Sequence, residues 1–451
     1  MGRLALWERE MQPADLPHDW LIYDTKNLYE DSIGWYRKKF VYSTSGTKCG
    51  KRVILRFEGV YMDSSIYING VCLGDWKYGY STFDWDITDH LREGENEVVL
   101  RVTFQAPNSR WYSGAGIYRN VWMICLPETH IPLDGIYTSS VETQKGYDLT
   151  IDTELKWGTD NGNYALEYCL YYTGDSKSSA ETASREIFRV KQPLDGGQEK
   201  TSVTIPVDNP RKWDITDPYL YELQVCLWRD MLRENGSAET IGNSASQRTE
   251  QQPVQETNSR ELCQEEHLRI GFRTMQFDPV RGFLLNGRKV RLNGACDHHD
   301  LGALGAAFHK EAMRRKFELM RSMGVNAVRT SHNMPAVELM ELADEMGFLI
   351  VYRSVRYVGR WQRILMIMPD FSRNGWRRMY AAGSAETAII PLLSCGVLAM
   401  RSRIPMRMLM VRRSPAGWSR RSESGTIAMW HRLPLAPIIC PGKMPGNVRI
   451  S

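Results

Sequence analysis

Apolar and polar positions alternate through the first third of the chain. In KRVILRFEG (51–59), Val53, Leu55 and Phe57 alternate with charged or polar-facing neighbours. ENEVVLRVTF (95–104) does the same through Val98, Leu100, Val102 and Phe104. A period of two is the mark of a half-buried strand. SIYINGVCLGDW (65–76) places Asn69-Gly70 between two apolar runs, a strong hairpin signal. Many short strands with turn signals predict a jelly roll or sandwich over residues 1–130.

The rhythm repeats over 131–276, in YDLTIDTELKW, KTSVTIPV, YLYELQVCLW and HLRIGFRTMQF. These predict a second, smaller β unit of immunoglobulin-like type. Residues 232–261 are almost wholly polar and predict a flexible insertion between two strands.

From 277 the period changes. GFLLNGRKVRLNG reads as a hairpin. HKEAMRRKFELMRSMG puts Met313, Phe317 and Met320 on one helical face, with Gly324 as the stop. VNAVRTS reads as a short strand, Pro335 as the start of a second helix, Gly347 as its stop and FLIV as the next strand. Strand, helix, strand, helix, strand opens a parallel α/β unit. Function in a parallel barrel sits at the carboxyl ends of the strands. RTSHN and CDHHD both fall at such ends.

Composition sharpens this picture at two points. The net charge of +4 hides a split. Residues 353–451 hold 17 of the 57 Lys and Arg and 3 of the 53 Asp and Glu, giving +14; the remainder is −10. The nine cysteines are scattered singly, which predicts neither a disulfide framework nor a metal site and fits a reducing compartment. The first residues lack an apolar core of signal-peptide length, position 6 is Leu where a myristoylation signal needs Ser or Thr, and no run is long enough to span a bilayer. A cytoplasmic protein is expected.

Five motifs in order carry a resemblance: LPHDW (16–20), FEGVYMDSSIYING (57–70), RWYSGAGIYR (110–119), GFLLNGRKVRLNGACDHHDLGALG (282–305) and GVNAVRTSHNMPAVELMELADEMGFLIV (324–351). Together they resemble glycoside hydrolase family 2, especially its bacterial β-galactosidase branch, over about the first 352 residues. The resemblance implies a multidomain chain, mainly β and then α/β. Its parts would be a jelly-roll sugar-binding domain (1–130), an immunoglobulin-like sandwich (131–276) and the start of a (β/α)8 barrel (277–352). It implies a retaining exo-β-glycosidase acting on terminal β-D-galactosides. Two glutamates roughly 5–5.5 Å apart would serve as nucleophile and acid/base.

The resemblance also implies site residues. Arg329 would hold the nucleophile's carboxylate ionised, and His332 would face the sugar; the plain alternative is a loop ion pair and a capping histidine. Asn333 would donate to a sugar hydroxyl or simply form the turn. The family commonly has two prolines next, and here Met334 stands at the first. His298 or Asp300 would line the pocket. Asp31, Asn108 and Arg110 would reach the sugar from the first domain, or be solvated loop residues. Some members use Mg²⁺ and Na⁺, with ligands partly beyond the resemblance. Homo-oligomers are common in the family, though no interface is legible here.

After residue 352 the pattern breaks. The family continues with an Asp-Glu strand end and then RNHPS…WSIGNE, whereas this chain reads YRSVRYVGRWQ. PLLSCGVLAMRSRIPMRMLMVRRS (391–414) is rich in Arg and Met and has no acidic residue. Codons for ETAIIPLLSCGVLAMRS (386–402), read two bases on, admit DRNHPSVIMWSIGNEI. In the same frame LMIMPDFSRNGW (365–376) admits YDYARFFPEW and APIICPGKMPGN (436–447) admits SNYMPWENARK. YRSVRYVGR (352–360) admits EAFDMWE after a shift of one base. The tail 353–451 is therefore read as a frameshift product, with slips near Tyr352 and between Trp361 and Ile364. The acid/base glutamate would be encoded across Met400 and Arg401, and the nucleophile would lie beyond the last residue. The alternatives are weaker. The arginines form no helical stripe that would suit nucleic acid. Pro391, Pro405, Pro415 and Pro434 interrupt any membrane-surface helix. A truncated, inactive glycosidase is expected, and the second reading is a non-catalytic carbohydrate-binding protein.

Overall fold

A computed structural model describes residues 11–43, 52–106, 109, 111–160, 162–173, 185–230, 260–331 and 333–351. Most of the polar insertion and the whole basic tail lie outside the described residues.

The first domain is two antiparallel sheets face to face. One orders its strands Ser32–Tyr42, Gly94–Phe104, Ser64–Ile68 and Val71–Trp76. The other orders Phe83–Asp86, Arg52–Phe57 and Val121–Leu126. The alternating residues meet between them: Val53, Leu55, Phe57, Val98, Leu100, Val102 and Phe104 are all buried in one core. Burying each such side chain stabilises by about 1.5–3 kcal/mol relative to exposure. The Asn69-Gly70 turn has φ of 49° and 86° and pairs Ile68 with Val71, as a tight primed hairpin requires.

The second domain packs a three-stranded sheet (Ile136–Glu142, Gly146–Glu154, Lys200–Asp208) on a four-stranded one (Arg185–Leu194, Tyr164–Tyr172, Tyr221–Asp230, Arg260–Ile270). Tyr164–Tyr172 escapes the period-two reading because it is central and most of its positions are buried. Such strands read as continuous apolar runs.

The third part opens with a small meander, Met275–Asp278, Gly282–Leu285 and Arg288–Lys289, turning at Asn286-Gly287. Strand Met275–Asp278 straddles the 276/277 boundary read from the sequence. Three parallel strands follow in the order Gly294–Asp297, Ala327–Thr330 and Leu349–Val351. Helices α1 (Lys310–Ser322) and α2 (Val337–Met346) connect them. Met313, Phe317 and Met320 face the core as the periodicity predicts. Helix α2 begins later than expected: Ala336 is its N-cap and Pro335 precedes it. Both helices end at a left-handed glycine, Gly324 at φ 81° and Gly347 at φ 71°. No described helix is long and apolar enough to cross a membrane.

Candidate active site at the strand ends

The parallel register sets Asp297 beside Thr330 at the carboxyl ends of the first two barrel strands. The Ser331 amide donates to the Asp297 carbonyl at 2.8 Å, which continues the pairing one residue past the strand. A pocket lies there, lined by Asp297, His298, His299, Thr330, Tyr118 and Arg119 among others. Asp297 is buried and paired with the Lys316 ammonium. Burial raises its carboxyl above the usual range and Lys316 opposes that. Sequence reading passed over Asp297, because its partner comes from the following helix.

The first domain supplies one wall. The Tyr80 ring lies 4.6 Å from the His299 ring, and Trp111 lies 5.2 Å from His298. The Tyr78 hydroxyl donates to Asn333 Oδ1 at 3.3 Å, and Asn333 Nδ2 contacts His299 Nε2 at 3.5 Å. Burial, with Arg119 second, holds the His299 imidazole well below its ordinary pKa. His299, unlike His298, was not singled out from the sequence.

Two buried ionic side chains join this wall to the barrel. Arg119 donates to the carbonyls of Glu58 at 3.2 Å, Tyr80 at 3.3 Å and Met334 at 2.7 Å. Met334 itself is fully buried, so the residue standing at the first proline position serves as a packed anchor. Asp19, from LPHDW, accepts from the amides of Leu21, Ala115 and Ala306 at 3.1, 3.0 and 2.8 Å, and from the Tyr112 hydroxyl.

The expected site residues divide as follows. His298 lines the pocket, Arg329 is half-buried on the second strand, and Asn333 is buried at its end. Of the pair His298 or Asp300, it is His298 that lines this pocket; Asp300 is not among its lining residues. Its side chain is exposed, and its contact with α1 is through the carbonyl, which accepts from Lys316 at 3.1 Å. Asp31 caps a loop, accepting from the Ala106 amide at 2.6 Å. His332, Asn108, Arg110, Met400 and Arg401 lie outside the described residues. Among the described residues no group of three or more His, Cys, Asp or Glu could hold a metal ion.

A jelly roll, a sandwich and the opening of a parallel α/β unit thus follow one another, with the first and third meeting at the pocket. Comparison with known proteins gives the family. Residues 19–127 match the sugar binding domain of glycosyl hydrolases family 2, residues 129–242 its central domain, and residues 280–377 its TIM barrel domain. The chain belongs to glycosyl hydrolases family 2. It is 35% identical over 360 residues to Beta-galactosidase BoGH2A of Bacteroides ovatus, covering 76% of this chain and 38% of that protein. It is 30% identical over 350 residues to a putative beta-glucuronidase of Formosa agariphila, covering 75% and 30%. The crystal structure of a beta-glycosidase from Bacteroides vulgatus aligns with TM-score 0.67 at 27% identity, over 83% of this chain and 44% of that one. The chain thus spans less than half the length of these relatives.

Proposed function

We propose that the gene specifies a retaining exo-β-glycosidase for terminal β-D-galactosides, and that the chain as written is an inactive form of it. The observation that carries the first half is that Asp297, His298, His299 and Thr330 at the barrel strand ends share one pocket with Tyr118 and Arg119 of the sugar-binding domain. Stacking on aromatic faces with a few directed hydrogen bonds is how a pyranose is held. Arg329 takes the role of holding the nucleophile's carboxylate, and His298, His299 and Asn333 those of contacting sugar hydroxyls. His332 and Asn108 belong to the same proposal. The similarity to a beta-galactosidase, together with SHN and HHDLG, favours galactosides over glucuronides.

The second half rests on the tail. Retaining hydrolysis needs one carboxyl to attack the anomeric carbon and another to protonate the leaving oxygen. The frame as written has no Asn-Glu pair after Val351, whereas codons for residues 386–402 read in a shifted frame admit WSIGNE at the fitting place. Sequencing the gene across codons 345–451 tests this. WSIGNE in frame would establish a lesion or error ahead of an active enzyme; the frame standing as written would reject the frameshift reading.

A second reading is non-catalytic carbohydrate binding. Its support is that both β domains have complete cores of their own. Titration of the two β domains alone (residues 1–276) with galactose and lactose separates the readings: saturable binding by that piece supports it, and a flat response removes it.

A further inference from the structure

A chain of contacts that starts outside the barrel ends on His299, which lines the strand-end pocket. Tyr78 belongs to the loop between strands Val71–Trp76 and Phe83–Asp86 of the sugar-binding domain. Its hydroxyl donates to Asn333 Oδ1 at 3.3 Å. An amide whose oxygen accepts on one side presents its NH₂ on the other. Asn333 Nδ2 then meets the Ser331 carbonyl at 3.4 Å and His299 Nε2 at 3.5 Å. Asn333 is buried, so solvent does not readily replace either partner.

An NH₂ group only donates, so a hydrogen bond at this contact needs His299 Nε2 as the acceptor and the ring proton on Nδ1. The neutral ring this requires agrees with the burial and with the neighbouring Arg119 guanidinium, both of which disfavour the imidazolium. The ring plane is held by Tyr80, 4.6 Å away, and by Tyr118, 6.5 Å away.

We propose that Tyr78 is a positioning residue: acting through Asn333, it fixes His299 as the Nδ1–H tautomer, which makes that N–H a hydrogen-bond donor for a sugar hydroxyl in the strand-end pocket. The donor half rests on the glycosidase reading above; the tautomer half does not. The arrangement makes the barrel's polar lining depend on a side chain of another domain.

The test is the pattern of imidazole ¹⁵N signals of His299 at pH 7.5, in the unaltered chain and in Tyr78→Phe, followed by a galactose titration of each. Tyr78→Phe keeps the ring that packs against Tyr80 at 5.8 Å, and a thermal melt checks that it folds. The expected result is Nδ1–H in the unaltered chain, a mixture of tautomers in Tyr78→Phe, and galactose affinity about 2–10-fold weaker in the variant, the worth of one hydrogen bond. Nε2–H in the unaltered chain, or an identical pattern in Tyr78→Phe, overturns the relay. An intact relay whose signals do not move with galactose overturns the donor assignment, and the fault then lies with the carbohydrate reading rather than with the tautomer.

Discussion

Arg119 Nη2 donates to the carbonyl of Met334 at 2.7 Å, joining two residues 215 positions apart. One sits in the sugar-binding domain and the other at the mouth of the barrel. Their bond is buried, and it fixes the aromatic wall against the strand ends.

Arg119→Met should therefore destabilise the chain by roughly 3 kcal/mol, because it leaves the carbonyls of Glu58, Tyr80 and Met334 short of a charged donor. Urea unfolding reads the loss as a lower midpoint. A variant as stable as the parent would show that the two domains do not depend on each other.

Asp19 makes the converse bond, accepting from Ala306 across 287 positions. Asp19→Ala strands four donors and should cost roughly 2–4 kcal/mol. Asp31→Ala, at an exposed loop with one amide partner, should cost about 1 kcal/mol or less. Equal losses would contradict the assignment of Asp19 as an inter-domain anchor.

Two glycines separate backbone strain from contact. Gly324 and Gly347 both end helices in left-handed conformation, but a Cβ on Gly324 meets nothing, while one on Gly347 would lie 2.5 Å from the Ile215 carbonyl. Gly324→Ala should cost about 1–2 kcal/mol. Gly347→Ala should cost roughly twice that or more, because the sandwich must also move. Thermal midpoints of the two variants decide.

The histidines predict an acid limb. His18, His130 and His299 all have imidazoles held below the ordinary value, chiefly by burial. Between the lowered folded value and about 6.5, the unfolded chain binds more protons. Stability then falls as pH drops below about 6.5, at up to about 1.4 kcal/mol per pH unit for each histidine. Asp344, raised well above its usual range by burial, works in the opposite direction. His299→Gln should flatten the slope of unfolding free energy between pH 5 and 7; an unchanged slope would mean that His299 is not held neutral by the fold.

The sequence made local features legible. Val98 to Phe104, Asn69-Gly70 and the Met313–Phe317–Met320 stripe follow from periods and turns that span a few residues. The site was legible only as an address, at the strand ends after residues 297 and 330. Its membership was not. Tyr78, Arg119 and Asp19 act on partners hundreds of residues away, and no local pattern encodes such a bond. His299 was passed over and Asp300 was named, yet His299 lines the pocket and Asp300 is exposed. That choice is made by packing against Tyr80 and Lys316.

The most direct measurement is turnover of nitrophenyl β-D-galactoside by two purified chains, the one written here and one expressed from the gene with WSIGNE restored to frame. The account predicts no turnover above background by the first and clear turnover by the second. Robust hydrolysis by the chain as written would contradict it.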